Sequence, residues 1–211
     1  MRTLLVDDHP LFAQGLRFLL EDLDDRLVCT TAHNIAEAVQ APGPFDLILL
    51  DYTLSDSHGS EGLVRVLTAH EGATVAMLSG AKQASLVHEL VEKGAAGFIS
   101  KSDDTITLLK ALEVMLAGGV YLPPWALEAE AVEFNMKAMK QAAAGLPPRQ
   151  LECLLKMVQG KPNKTIAREM DVADSTVKSH LGLAFKALGV SNRAEAVYRV
   201  AQLGLLPPTA D

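Results

Sequence analysis

The chain has 211 residues, a formal net charge of −7 and 49% hydrophobic residues. That length fits one large domain or two small ones, and that apolar content excludes a disordered chain. No apolar run approaches the ~20 residues of a membrane helix, and the N-terminus lacks a signal-peptide pattern, so a cytoplasmic protein without a membrane partner is expected.

Cys29 and Cys153 lie far apart in sequence and fit neither a disulfide framework nor a metal site, which leaves two reduced core thiols as the reading. The charge is unevenly placed. Residues 1–122 hold 8 Lys and Arg against 17 Asp and Glu, a net of −9, whereas residues 136–206 hold 11 against 5, a net of +6. An acidic half joined to a basic half points to two jobs, one meeting a cation or basic partner and one meeting nucleic acid.

Strand-like runs fall at 2–6, 26–31, 46–51, 73–79 and 95–99, and helical periodicity falls at 10–22, 34–40, 60–70, 83–93 and 104–117. Pro10 suits a first helical position after an Asp8 or His9 cap, and Asp103 or Asp104 suits a cap for the helix at 104–117. Five such units predict an α/β fold, a doubly wound five-stranded parallel sheet with right-handed crossovers. Runs such as 46–50 and 74–78 are apolar on both faces, as a sandwiched parallel sheet requires.

The strand ends carry the chemistry. The first strand ends at Asp7 and Asp8, the third at Asp51, the fourth at Ser79 and the fifth at Lys101. Ligands of open α/β sheets bind outside those ends. Three clustered carboxylates repel one another unless a hard cation such as Mg²⁺ joins them, and one can then act as a nucleophile toward phosphorus. A phosphoryl group on Asp51 would carry three oxygens needing compensation. Mg²⁺ held by Asp8 and Asp51, with Asp7 through water, would take one; the Ser79 hydroxyl and the Lys101 ammonium would take the others. Taken singly, Asp7 and Asp8 read as helix caps, Asp51 as a loop opener, Ser79 as a turn residue and Lys101 as surface. Their joint placement at one sheet edge argues for a site.

Gly118-Gly119 ends the fifth helix and Pro123-Pro124 blocks its continuation. The Ala-, Glu- and Met-rich stretch 125–144 has helical character. Helices are then expected at 148–159, 163–170, 174–188 and 192–204. A short helix, the tight turn Met170-Asp171-Val172-Ala173-Asp174 and a longer helix form a helix-turn-helix pattern. Ile166, Ala167 and Met170 face inward on the shorter helix. Val177, Leu181, Ala184, Phe185 and Leu188 make the apolar stripe of the longer one, leaving Thr176, Lys178, Ser179 and Gly182 outside it.

With Asp7, Asp8, Asp51, Ser79 and Lys101 in place, residues 1–120 resemble a response-regulator receiver domain, whose fold is flavodoxin-like. The resemblance implies that Asp51 accepts phosphate from a sensor histidine kinase and that the backbone carbonyl of Thr53 joins Asp7, Asp8 and Asp51 as a Mg²⁺ ligand. It also implies that Phe98 is a switch aromatic, filling the space that Ser79 vacates when it moves toward phosphate. Lys101 is expected to meet Asp51 only in the phosphorylated state. The chain departs from the family at Leu54-Ser55-Asp56, where Ser55 replaces a proline, at the bulky Tyr52 and at Gly80.

Residues 146–211 are similar to a LuxR-type DNA-binding domain, with 121–145 as linker. The match is carried by LPPRQLECLLKMVQGKPNKTIAREMDV and STVKSHLGLAFKALGVSNRAEAV. It implies a recognition helix at 174–188, with Lys178 reaching base edges beside Ser179 and Gly182. Thr176, His180, Lys186 and Lys164 are implied phosphate contacts. Pro147 stands where the family has a Thr cap, and Gly182 where a larger side chain often sits.

Together the halves look like a two-component response regulator of the NarL/FixJ type. The implied partners are a sensor histidine kinase, double-stranded operator DNA and a second copy of the chain when phosphorylated, with RNA polymerase a further candidate. Three rival readings fit the residues less well. A haloacid-dehalogenase-type phosphatase needs a second Asp at position 53, which is Thr. A ligand-sensing quorum regulator needs an aromatic-lined pocket, whereas aromatics are only 5%. A phosphorylation-independent regulator, with the receiver as a dimerisation module, is opposed by the complete five-residue set.

Overall fold

The computed structural model describes residues 1–127, 143 and 145–202. Most of the helical stretch expected at 125–144, and the last residues of the helix expected at 192–204, lie outside the described residues. The first half alternates β1 (Arg2–Val6), α1 (Pro10–Leu23), β2 (Val28–Ala32), α2 (Ile35–Gln40) and β3 (Leu47–Asp51). It continues through β4 (Thr53–Leu54), β5 (Ser57–His58), α3 (Glu61–Ala69), β6 (Thr74–Ser79), α4 (Ala84–Glu92), β7 (Gly97–Ser100) and α5 (Thr105–Leu116).

The expected five-stranded parallel sheet is present, in the order β2-β1-β3-β6-β7. Strand order reverses between β1 and β3, the position at which doubly wound sheets open a crevice at the carboxyl ends of the strands. Side chains alternate across the sheet. Leu4, Val6, Ile48, Leu50, Val75, Met77 and Phe98 pack on one face with residues of α2, α3 and α4. Leu5, Leu47, Leu49, Ala76, Leu78 and Ile99 pack on the other with residues of α1 and α5.

Register then fixes the site. Val6 lies opposite Leu50, so Asp7 and Asp51 follow side by side. Asp51 is paired with Leu78, which brings Ser79 one step past it. Ser79 is paired with Ser100, so Lys101 emerges next.

Some local expectations need correction. His9 is the N-cap residue of α1, but neither it nor Asp8 makes a side-chain cap; the His9 N–H instead donates to Asp7 Oδ1 at 2.8 Å. Asp104, not Asp103, caps α5, accepting from the Thr107 N–H at 2.8 Å. β2 begins at Val28 rather than 26, because a turn closed by the Leu27 N–H on the Asp24 carbonyl occupies the preceding residues. The β4–β5 hairpin lies outside the main sheet. Strands of two residues are too short to show alternation in sequence.

After α5 come α6 (Pro124–Leu127), α7 (Pro148–Val158), α8 (Asn163–Met170), α9 (Asp174–Leu188) and α10 (Arg193–Gln202). Pro147 caps α7 without a side-chain bond, as its ring dictates. The turn between α8 and α9 passes through Asp171 at φ 54°, the left-handed region that Asp tolerates better than most residues.

Arg193, at the start of α10, ties the helices together. It donates to the Met157 and Lys161 carbonyls and to Asn163 Oδ1. Desolvation lowers its guanidinium to about 10. α10 also packs on α4 and α6, and the buried apolar core that begins at Leu4 continues through Val120, Leu122 and Ala126 to Val200.

Candidate functional site

Asp7 and Asp51 sit at the sheet edge with side chains only 0% and 2% exposed, and Lys101 Nζ lies 2.7 Å from a carboxylate oxygen of each. Lys101 is thus engaged with Asp51 before any phosphoryl group arrives, contrary to the expectation that this contact forms only afterwards. Two buried carboxylates side by side already require a cation between them. Burial pushes the Asp51 carboxyl above its ordinary value, and the Lys101 ammonium pulls it back. The Lys101 ammonium also lies 4.7 Å from the centre of the Phe12 ring.

His9, absent from the sequence-predicted set, joins the acids. Its Nδ1 lies 2.9 Å from Asp8 Oδ1, 3.3 Å from Asp7 Oδ1 and 3.9 Å from Asp51 Oδ2. Ligand atoms of Asp7, Asp8, His9 and Asp51 all fall within 4.8 Å of one another. Asp7 Oδ2, Asp8 Oδ1 and Asp51 Oδ2 are buried and carry no hydrogen bond. Among the described residues, ion pairs to Lys101 and His9 compensate them. Oxygen donors so placed fit a hard cation that keeps several waters, as Mg²⁺ does. Thr53 follows at the start of the hairpin, its N–H 3.3 Å from Asp51 Oδ1.

Ser79 is buried at 2% exposure, its Oγ accepting from the Ala81 N–H at 3.1 Å. Phe98 is also turned inward, 1% exposed, with its ring edge-on to Trp125 at 6.1 Å and 88°. A bridge between Lys82 and Asp103 at 3.0 Å joins the β6–α4 and β7–α5 loops. All five sequence-predicted receiver residues therefore converge.

Asp56 has a role the sequence reading missed. Its carboxylate accepts the Ile35 and Ala36 N–H groups at 2.9 and 3.0 Å, capping α2 from a distant loop. Such a cap leaves no local sequence signal, since cap and helix are 21 residues apart.

On the second candidate surface, Ile166, Ala167, Met170, Val177, Leu181, Ala184 and Leu188 are buried as expected. Lys164, Lys178, Ser179, Gly182 and Lys186 are exposed, whereas Thr176 and His180 are half-buried. Lys178 pairs with Asp174 one turn earlier at 3.1 Å, a weak surface contact that a competing anion can replace. Leu183, 50% exposed, was not anticipated as part of the outer face of α9. It lies four residues after Ser179 and three before Lys186, spacings that share one helix face.

Comparison with known proteins agrees with this geometry. Residues 3–113 match the response regulator receiver domain, and residues 144–200 match the luxR family of bacterial regulatory proteins. The glycerol metabolism activator of Pseudomonas putida is 30% identical over 216 residues, covering 93% of both chains. The nitrate/nitrite response regulator protein NarL of Escherichia coli K12 is 30% identical over 203 residues, covering 94% of both. Among solved structures, a LuxR family DNA-binding response regulator from Silicibacter pomeroyi has TM-score 0.51 and 34% identity, covering 59% of this chain and 98% of that one. The RcsB response regulator of Salmonella typhimurium has TM-score 0.54 over 95% of this chain and 98% of that one; at 17% identity the likeness is one of fold. The chain belongs to the response regulators, in the group that joins a receiver domain to a luxR-type transcriptional regulatory domain.

Proposed function

We propose that Asp51 takes a phosphoryl group from the phosphohistidine of a sensor kinase, and that this controls binding of operator DNA by the C-terminal helices. The observation that carries the reading is Asp51 at a strand end, beside Asp7 and 2.7 Å from the Lys101 ammonium. A carboxylate oxygen of Asp51 attacks phosphorus, the P–N bond breaks, and the imidazole keeps the electron pair and gains a proton.

Asp7, Asp8, Asp51 and the Thr53 carbonyl would hold Mg²⁺, which offsets negative charge on the transferring group when bound. Lys101 remains as a fixed cation for a phosphoryl oxygen, and Ser79 moves to donate its hydroxyl to another. Phe98 then turns toward the space that Ser79 leaves. Position 53 carries a hydroxyl and no carboxylic acid, so the site lacks a general acid for rapid turnover, and we read the protein as a regulator and not a phosphatase.

We take 1–120 as the receiver, 121–145 as linker and 146–211 as the DNA-binding domain. The active form on operator DNA is a dimer, and the setting is cytoplasmic. Among the described residues no helix is long and apolar enough to cross a membrane. Lys178, Ser179 and Gly182 face base edges, with Lys164, Thr176, His180 and Lys186 on phosphates. An operator is read best when two-fold related half-sites match two chains.

The test is labelling by acetyl phosphate with Mg²⁺, read by intact mass. Wild type should gain one phosphoryl group that hydroxylamine removes, and Asp51→Asn none. Equal labelling of both proteins would refute the assignment.

A further inference from the structure

We propose that Leu183 is a specificity-determining residue of α9 and packs against the C5-methyl group of a thymine in the major groove. This rests on the reading of α9 as the helix that enters DNA.

The sequence of α9 puts Val177, Leu181, Ala184 and Leu188 in the core, so the opposite face is left to solvent. At 3.6 residues per turn, that face runs across the helix in the order Lys178, Gly182, Ser179, Leu183. All four are exposed. The two long side chains stand at the flanks and the two short ones lie between. A Cβ added at Gly182 would meet nothing within 4 Å, so the middle is an open floor. A base edge can enter there with Lys178 on one side and Leu183 on the other.

Leu183 is out of place on such a face unless something apolar covers it. Among the described residues, the other exposed large hydrophobics run from Met1 to Ile106, all in the receiver half, and Leu183 is the one in the C-terminal helices. It is 50% exposed, in the half whose net charge is +6 over residues 136–206. Lysines bring α9 to the phosphates by charge, without regard to sequence. An isobutyl group gains nothing from a phosphate. In the major groove the bases offer donors, acceptors and one apolar group, the C5-methyl of thymine. Contact between the two removes apolar surface of both from water. Leu183 thereby supplies base preference that Gly182 cannot.

Leu183 lies five residues beyond Lys178, ~7.5 Å along the helix axis. That is about two base steps. The thymine that Leu183 reads therefore falls about two base pairs from the base that Lys178 reads.

The probe is a duplex selected from a random library by the wild-type full chain with Mg²⁺ and beryllofluoride. Each thymine of one half-site is then replaced in turn by deoxyuridine, which lacks only the C5-methyl group. Affinities are measured for wild type and Leu183→Ala. At one thymine the replacement should weaken wild type about fourfold, the worth of one buried methyl group, and leave Leu183→Ala unaffected. On random duplex, and in its salt slope, Leu183→Ala should match wild type, which separates it from the lysine variants. Equal deoxyuridine costs for the two proteins at every thymine overturn the proposal, and so does a selected half-site without thymine. A loss by Leu183→Ala that is as large on random duplex overturns it too, because the side chain then serves the fold or the DNA backbone. Wild type that binds no duplex overturns the reading of α9 itself and the thymine contact with it, an outcome distinct from the others.

Discussion

At the residue scale the site is a problem in charge. Asp7 and Asp51 are side by side and buried, and the Lys101 ammonium bridges a carboxylate oxygen of each. A ligand bringing further negative charge must either carry its own cation or share this one. Lys101→Ala should therefore leave some labelling of Asp51 but uncouple it from assembly. At matched phosphoryl occupancy the variant should show a smaller dimer fraction by sedimentation velocity. Dimerisation equal to wild type would mean that Lys101 serves the carboxylates alone.

The five receiver residues were legible in the sequence because each ends an apolar run, and a strand end is visible where hydrophobicity stops. His9 was not legible as a member of the cluster. It follows two acids as an ordinary helix-entry residue, and only the bend after β1 turns its Nδ1 back onto Asp8. The early engagement of Lys101 was equally hidden, since sequence gives a residue's place at the sheet edge but not the direction of a long side chain.

At the element scale, several contacts depend on side chains from distant segments. Partial burial works to raise the Asp56 carboxyl, but the Ile35 and Ala36 N–H groups outweigh it and hold the acid below its ordinary value. The stabilisation is thus present above the ordinary carboxylate range and lost as pH falls through the lowered value. Asp56→Ala should cost about 0.5–2 kcal/mol at neutral pH, as loss of a helix cap does. The gap from wild type should close in acid. Urea denaturation at both pH values checks this, and a gap that persists unchanged in acid would assign the effect to packing.

On α9 the separation of roles follows from position. Lys178 lies in the first turns, where a recognition helix meets base edges, and Lys186 lies two turns later. Lys178→Ala should cost roughly 1–3 kcal/mol on operator and relax preference at one position per half-site. Lys164→Ala and Lys186→Ala should weaken operator and random duplex alike, flattening the salt slope by about one unit each. Titrations of both duplexes over a salt series separate these outcomes. Equal losses on both duplexes for Lys178→Ala would make it a phosphate contact. The helix pair was legible from its 3.6-residue stripe. Leu183 was not singled out, because it lies off that stripe.

At the scale of the whole molecule, the sequence reading separates two halves by charge and by the Gly118-Gly119 and Pro123-Pro124 breaks. It gives no sign that they share a core. Pro123-Pro124 read as a stop, yet Pro124 opens a short helix whose Trp125 packs 27 positions away from its own place in the chain, on Phe98. The contacts of α10 with α4 span about a hundred residues. No local periodicity encodes partners that far apart, because either half satisfies its own pattern without the other.

Modification of Asp51 is proposed to convert a chain with α10 docked into a dimer. The most direct test is the molar mass of the full chain by light scattering, with Mg²⁺ alone and with Mg²⁺ plus beryllofluoride, for wild type and Asp51→Asn. The predicted result is a shift from one chain to two in wild type on adding beryllofluoride, and no shift in Asp51→Asn. An unchanged wild-type mass, or the same shift in both proteins, would contradict it.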